Sequence, residues 1–243
     1  MMEANITYLY NSGFCMELEC ANIIMDYYSS GFENLPEKIQ YILADDKPVY
    51  VLSSHAHADH FDRSILGFTK ENSNITYILS SDIGVTKVSG AKGVISLGVG
   101  DTFADKVISI RAFGSTDEGV SFLFKINGKS FFHAGDLNNW HWSEEADETY
   151  MNDMEENFLN IVSDIKSKTS KIDLAIFPID PRMGENYSLG AKQFLEAIKV
   201  EHLVPMHFRE TPEKMEDFRK TALKYGANFY TFSKREEVVG VTI

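Results

Sequence analysis

The chain predicts an α/β fold with two sheets packed between flanking helices, as one domain spanning 1–243. Three observations lead there. Short β-rich runs and helical runs are mixed in both halves of the chain. No linker, low-complexity tract or internal repeat separates them. A composition of 44% hydrophobic residues with 17 Phe and 11 Tyr can bury a sizeable core, which argues against disorder.

The first third reads as β. Ile6–Tyr10, Phe14–Leu18 and Ile23–Tyr27 are short strand runs, with Asn11-Ser12-Gly13 and Cys20-Ala21-Asn22 as the turns between them. Leu35–Leu43 predicts a short helix with Pro36 in its first turn. Val49–Ser53 is an apolar strand, and a helix is expected from Asp62. Ile75–Leu79 is a strand, and Asp82 is placed to cap a helix to Val88. Val94–Leu97 and Val107–Phe113 follow as strands. Val120–Ile126 and Lys129–His133 flank Asn127-Gly128, a type I′ hairpin signal. From Asp153 to Lys168, Phe158, Ile161, Val162 and Ile165 recur at helical spacing. Leu174–Pro178 is a buried strand, and Ser188 begins a helix through Lys199. Leu203–Pro205, Pro212–Tyr225 and Phe229–Phe232 complete the series as strand, helix and strand.

Charge excludes some partners. A net charge of −13 argues against a nucleic-acid backbone or an acidic membrane. The acidic run from Glu144 to Glu156 reads as a solvated helix face or loop; a lid or a subunit contact are the other readings, and an oligomer stays open. Cys15 and Cys20 flank a turn or lie along one strand pair, with no disulfide framework. The start Met1-Met2-Glu3-Ala4-Asn5 lacks a basic and then apolar leader, and no run of membrane-spanning length appears. A cytoplasmic, reducing location is the expectation.

The chemistry concentrates in Ser53-Ser54-His55-Ala56-His57-Ala58-Asp59-His60. This His-x-His-x-Asp-His pattern puts four potential metal ligands in six residues, although the chain has only 7 His. An extended backbone projects His55 and His57 the same way, and a turn can swing Asp59 and His60 to a neighbouring position. That suffices for one metal and most of a second. Asp136 and His207 also follow predicted strands, and sites of α/β sheets collect at strand carboxyl ends.

With Gly135-Asp136 and the late Pro205-Met206-His207, the pattern resembles the metallo-β-lactamase-fold hydrolase superfamily, over essentially the whole chain. Gly13-Phe14, Met25-Asp26 and His133-Ala134-Gly135-Asp136 are most similar to its ascorbate-6-phosphate lactonase-like branch. The resemblance implies an αββα sandwich of four layers. It implies two divalent metal ions, Zn first and Mn or Fe as alternatives. His55 and His57 would hold the first; Asp59, His60 and His207 the second; Asp136 would bridge them. A metal-bound hydroxide would attack a lactone, ester or phosphodiester of a small metabolite, with an anionic one among the readings, and Asp59 or a bound water would manage the proton. Asp26 would orient a ligand histidine, with turn capping as its other reading. His133, on its strand, reads as structural or as a support behind the ligands.

One position departs from the family. The resemblance puts its third histidine for the first metal where this chain reads Phe113-Gly114-Ser115-Thr116-Asp117-Glu118-Gly119. Asp117 is the expected substitute; Glu118 and Ser115 are poorer ones. Otherwise the first site is weak or empty. Trp140-His141-Trp142 can wall a substrate pocket or pack in the core. Arg182 and Tyr187 lie in one loop as candidate substrate contacts, where Arg182 can grip a carboxylate or phosphate or be a plain surface arginine. The alternative function is a non-hydrolytic metal-binding sensor or scaffold with a degenerate first site. A redox di-iron protein is a third reading, although such sites want more carboxylate.

Overall fold

In the computed structural model, residues 1–30, 32–142 and 147–243 are described. The first half runs β1 (Glu3–Tyr10), β2 (Gly13–Glu17), β3 (Asn22–Met25), α1 (Glu37–Leu43), β4 (Val49–Ser53), β5 (Ile75–Ser80) and β6 (Gly93–Leu97). The second runs β7 (Thr102–Ala104), β8 (Ile108–Phe113), β9 (Ser121–Ile126), β10 (Lys129–His133), α2 (Glu148–Lys168), β11 (Lys171–Pro178), α3 (Leu189–Ala197), β12 (Lys199–Met206), α4 (Arg219–Lys224), β13 (Asn228–Phe229) and β14 (Val238–Thr242).

These strands make two seven-stranded sheets, β14-β1-β2-β3-β4-β5-β6 and β13-β12-β11-β10-β9-β8-β7. Each sheet is antiparallel on one side and parallel on the other: β3 to β6 run parallel, as do β10 to β13. The parallel strands are apolar on both faces because both faces are covered. In β4, Tyr50 and Leu52 enter the core between the sheets, while Val49 and Val51 pack outward with Ile39 and Ile42 of α1. Phe158, Val162 and Ile165 of α2 and Phe194 of α3 cover the second sheet. The result is the four-layer metallo-β-lactamase sandwich.

The Asn127-Gly128 hairpin forms with both residues in the left-handed region, φ 49° and 77°, as a type I′ turn requires. Other expectations need correction. The helix from Asp62 is a 3-10 helix, Arg63–Lys70, which Asp62 caps by accepting from Ser64 N at 2.9 Å. Asp82 caps no helix: it lies within a 3-10 turn, Ser81–Ile83, that ends at Gly84 (φ 71°), and its carboxylate accepts from Ala56 N at 2.8 Å instead. Pro36 stands just before α1 rather than inside it. α2 starts earlier than predicted because Asp147 caps it, accepting from Tyr150 N. Ser188 sits at the α3 cap without a side-chain bond, and Lys199 already belongs to β12. The helix predicted over 212–225 divides into a 3-10 helix, Pro212–Phe218, and α4. β7 and β14 were not predicted: one is three residues long, and the other contains Gly240. Both cysteines are free. Glu144 and Glu145 lie outside the described residues, and the rest of that acidic run enters α2. Among the described residues no helix is long and apolar enough to cross a membrane.

Candidate metal centre

The parallel halves of the two sheets aim their carboxyl ends at one place. Asp26 follows β3, Ser54 to His60 follow β4, Asp136 follows β10, Asp180 follows β11 and His207 follows β12. Leaving a strand this abruptly strains the backbone: Asp26 (φ 42°) and His207 (φ 68°) are left-handed although neither is glycine. His60 N and Phe61 N both donate to His57 O, forming the turn that brings Asp59 and His60 round. Two glycines let the segments close up. A Cβ on Gly119 would meet Ser54 O at 2.1 Å, and one on Gly135 would meet Ser54 Cβ at 2.7 Å.

The side chains form two groups, His55, His57, Asp117 and Asp136, and Asp59, His60 and His207. Asp136 faces both. Its Oδ2 is 3.7 Å from His55 Nε2, and its Oδ1 is 3.2 Å from His60 Nε2 and 3.5 Å from His207 Nε2. His57 Nδ1 lies 3.0 Å from His55 Nε2 and 3.7 Å from Asp117 Oδ2. Four ligands at about 2.1 Å on a tetrahedral ion stand roughly 3.4 Å apart, so these spacings suit shared ions. His60 Nε2 and Asp136 Oδ1 are also buried without hydrogen-bond partners, a costly state that a cation between them would relieve. The donors present therefore fit divalent metals.

Each histidine has an oxygen behind it. His60 Nδ1 donates to Asp26 Oδ2 at 2.7 Å, and His207 Nδ1 to Asp180 Oδ2 at 2.7 Å. Ser54 Oγ donates to Asp26 Oδ2 and so accepts from His55 Nδ1 at 3.0 Å. These partners assign the proton to Nδ1 in all three, leaving Nε2 to face the centre. His57 is turned the other way, with Glu118 Oε2 at 3.7 Å from its Nε2. Asp26 also accepts from Ser54 N and from His133 Nε2 at 2.9 Å, which places His133 behind Asp26 and away from the two groups.

The charges are strongly coupled. Burial lowers His60, but the Asp136 and Asp26 carboxylates outweigh it and lift the imidazole to about 9. Burial and then His60 push His55 down to about 4. Asp136 is held below the ordinary carboxylate value: burial opposes this, and His60, His207 and His55 prevail. Asp26 lies well below that range too, through His133 and His60 against burial. Burial and then Asp136 raise Asp117. A proton on His60 thus stands where the donor geometry calls for a cation.

A cleft of about 340 Å³ opens over the two groups. Trp140 and Trp142 form one wall, nearly parallel with ring centres 5.8 Å apart. Arg182 lines it as well, bound through Nε to Asp180 at 3.0 Å and lying over Trp142 at 5.6 Å. His141 and Tyr187, expected at the substrate, do not line it: only the two tryptophans flanking His141 face the cleft, and Tyr187 packs against the core. Ser115 Oγ accepts from Asp117 N rather than facing a ligand histidine. Asp180, Ser54, Asn11 and Arg209 were not anticipated. Asn11 donates to Asp59 Oδ2 at 3.0 Å and accepts from His207 N, and Arg209 reaches the same Asp59 oxygen at 3.4 Å. Asp180 was discoverable, since it follows a predicted strand as Asp136 does.

Comparison with known proteins agrees with this architecture. Residues 5–153 match the Beta-lactamase superfamily domain, a span holding every residue of the two groups except His207. A UPF0173 metal-dependent hydrolase of Desulforamulus reducens is 24% identical over 227 residues, covering 85% of each chain. One from Pyrococcus furiosus is 24% identical over 232 residues, covering 88% of this chain and 90% of its own. Among solved structures, Igni18, a metallo hydrolase from Ignicoccus hospitalis, superposes over 99% of both chains with a TM-score of 0.68 at 17% identity. The diiron β-hydroxylase CmlA from Streptomyces venezuelae covers 98% of this chain, with 54% of its own, at a TM-score of 0.63 and 10% identity, which relates the folds alone. With more than half of its length matched and the sandwich in place, the chain belongs to the β-lactamase superfamily.

Proposed function

We propose that this protein is a metal-dependent hydrolase of a small molecule, cleaving a lactone, an ester or a phosphodiester. The observation carrying this reading is the buried pair of His60 Nε2 and Asp136 Oδ1, 3.2 Å apart and making no hydrogen bond, beneath the cleft that Asp136 lines. His55, His57, Asp117 and Asp136 would hold one divalent ion, and Asp59, His60, His207 and Asp136 a second, with Zn, Mn or Fe all compatible with nitrogen and carboxylate donors. Bound there, such ions would supply Lewis acidity and lower the pKa of water. The chain's own groups do the rest. Asp26, Ser54 and Asp180 hold the imidazoles in one tautomer, so nothing need reorganise during the reaction. Asp59, steadied by Asn11 and Arg209, faces the cleft and is the group to hold a proton there. The stacked tryptophans exclude water from one side. The relatives named metal-dependent hydrolases support the same reading, and the cleft is at the small end of the roughly 300–1,000 Å³ typical of small-molecule sites.

The alternative is a metal-binding sensor or scaffold without turnover. It is favoured by the openness of the first group, where the His57 and Asp117 side chains are 46% and 42% exposed. One experiment separates the two: metal content and a screen of lactones, phosphodiesters and thioesters after loading with Zn, Mn or Fe, with His55→Ala as control. Two ions per chain and hydrolysis lost in His55→Ala are expected of the enzyme. Hydrolysis that survives both chelation and His55→Ala would sink it; one ion and no turnover would favour the sensor.

A further inference from the structure

Asp117 is the atypical donor of the first group, and its own side chain is not what holds it in place. Among the described residues nothing donates a hydrogen bond to its carboxylate, which is 42% exposed. Yet one of its oxygens lies within 4.8 Å of donor atoms of His55, His57 and Asp136. A carboxylate also reaches less far than the imidazole that the resemblance implies there. The backbone of its loop must therefore be held close, and two contacts bracket it. On one side Val120 N donates to Ser54 O at 2.9 Å, which ties the loop to the histidine segment. On the other side stands Thr116, immediately before Asp117. Its hydroxyl donates to Asn138 O at 2.6 Å and accepts from Asn138 N at 2.9 Å. Asp136 O is 3.3 Å from the same hydroxyl. One side chain thus pairs in both directions with the backbone two residues after Asp136, as a neighbouring strand would.

Asn138 is the fixed end of this pair. It is 1% exposed, its Nδ2 lies 3.6 Å from Met183 Sδ, and a Cβ on Gly190 would meet its Oδ1 at 2.0 Å. Trp140 Nε1 donates to Asp136 O at 2.9 Å and holds the start of the same segment. The Asp117 loop is the freer end, since residues 114–119 are half-buried or exposed. Threonine suits the task, because its branched β-carbon restricts χ1 and keeps the hydroxyl aimed.

We propose that Thr116 is a positioning residue of the first metal group: its hydroxyl sets the Asp117 loop at the distance from Asp136 that lets both carboxylates hold one ion. This rests on the two-ion reading of the hydrolase and deepens it. The competing account is that Thr116 is an ordinary loop staple, whose loss lowers stability without reaching the ion.

The test reads metal affinity and needs no substrate. The full chain is loaded with Zn and titrated with a chromophoric chelator. His57→Ala marks the step of the first ion, and Asp59→Ala that of the second. Thr116→Val keeps the shape and removes the hydroxyl. It should weaken the first ion roughly 10–100-fold and move the second by less than about threefold. Thr116→Ala, smaller and equally without a hydroxyl, should show the same split. Thr116→Ser restores the hydroxyl and should bring the first ion back to within about threefold of wild type. Ser121→Ala is the structural control: it removes the bond from Ser121 Oγ to Gly114 O in the same loop and leaves the Asp136 segment untouched. It should lower Tm while leaving both affinities in place. A first ion held as tightly in Thr116→Val and Thr116→Ala as in wild type overturns the role. So does equal weakening of both ions, no recovery in Thr116→Ser, the same loss in Ser121→Ala, or a wild type that takes up only one ion. The hydrolase reading fails separately. The split in affinity without turnover of any ester, lactone or phosphodiester keeps the positioning role and refutes the enzyme. Turnover, with both ions held normally in Thr116→Val, does the reverse.

Discussion

At the scale of single residues, Asp136 and Asp117 ask different things of a metal. Asp136 faces both groups of donors, so Asp136→Ala should lower the stoichiometry of both ions, read by metal analysis after dialysis. Two tightly held ions in that variant would remove Asp136 from the ligand set. Asp117 stands where the resemblance implies a histidine and approaches His57 Nδ1 to 3.7 Å. A carboxylate there makes the first group richer in oxygen and favours a harder ion than an all-imidazole set would. Asp117→His should keep two ions and shift the preference from Mn or Fe toward Zn in a competition assay; loss of the first ion would speak against the role. Asp180→Asn tests the support of His207. With the acceptor charge gone, affinity for the second ion should fall roughly 10–100-fold at unchanged secondary structure. The motif His-x-His-x-Asp-His and the later Asp136 and His207 were legible because local spacing and strand ends mark them. Ser54, Asn11 and Arg209 were not, because their partners are distant in the chain or, for Ser54, lie beneath a loop whose path no local pattern sets.

At the scale of elements, the strand-end loops are held by close backbone contact. Gly135 opens the turn that carries Asp136, at φ 54°, with Ser54 beneath it. Gly135→Ala should cost about 1–3 kcal/mol, from strain and from the displaced Ser54, and should weaken metal binding as well. Gly128 is the control: it is equally left-handed at φ 77°, but an added Cβ would meet nothing within 4 Å. Gly128→Ala should cost only about 1 kcal/mol and leave the metals alone. Urea midpoints and metal content of the two variants check both statements. The hairpin containing Gly128 was legible because Asn-Gly selects its own turn. Asp82 was misread because a carboxylate before a short run satisfies the helix-cap rule as well as it satisfies a distant amide, and only the folded chain brings Ala56 N within reach.

For the whole molecule, the candidate ligands join the two sheets, since His55 to His60 leave the first and Asp136 and His207 leave the second. Removing metal should therefore loosen the sandwich, not merely a loop. An ion at about a hundred times its Kd contributes about 2.7 kcal/mol, so chelation should lower Tm by several degrees. Stability of the chelated protein should also depend on pH. His55 titrates at about 4 when folded, below its ordinary 6.5, so stability rises as pH climbs from 4 to 6.5. His60 titrates at about 9, so its contribution is complete below 6.5 and is lost as pH rises through 9. A maximum of Tm near pH 6.5 in chelator is expected for this pair. A Tm that climbs steadily from pH 6.5 to 9 would show that His60 does not carry the proton.

By itself the sequence determined the class of fold, most of the strands, the metal-ligand motif and the departure at Asp117. These are local properties: hydrophobic period, turn chemistry and ligand spacing are written in neighbouring residues. Only the tertiary structure decided the edge strands β7 and β14, the supports behind each histidine, and the side of the cleft on which the arginines stand. Those depend on contacts between residues as far apart as Asn11 and Asp59, or Asp59 and Arg209, which no local pattern relates. Burial then sets the charge: the same imidazole type is driven to about 4 at His55 and about 9 at His60 by what the fold packs around it.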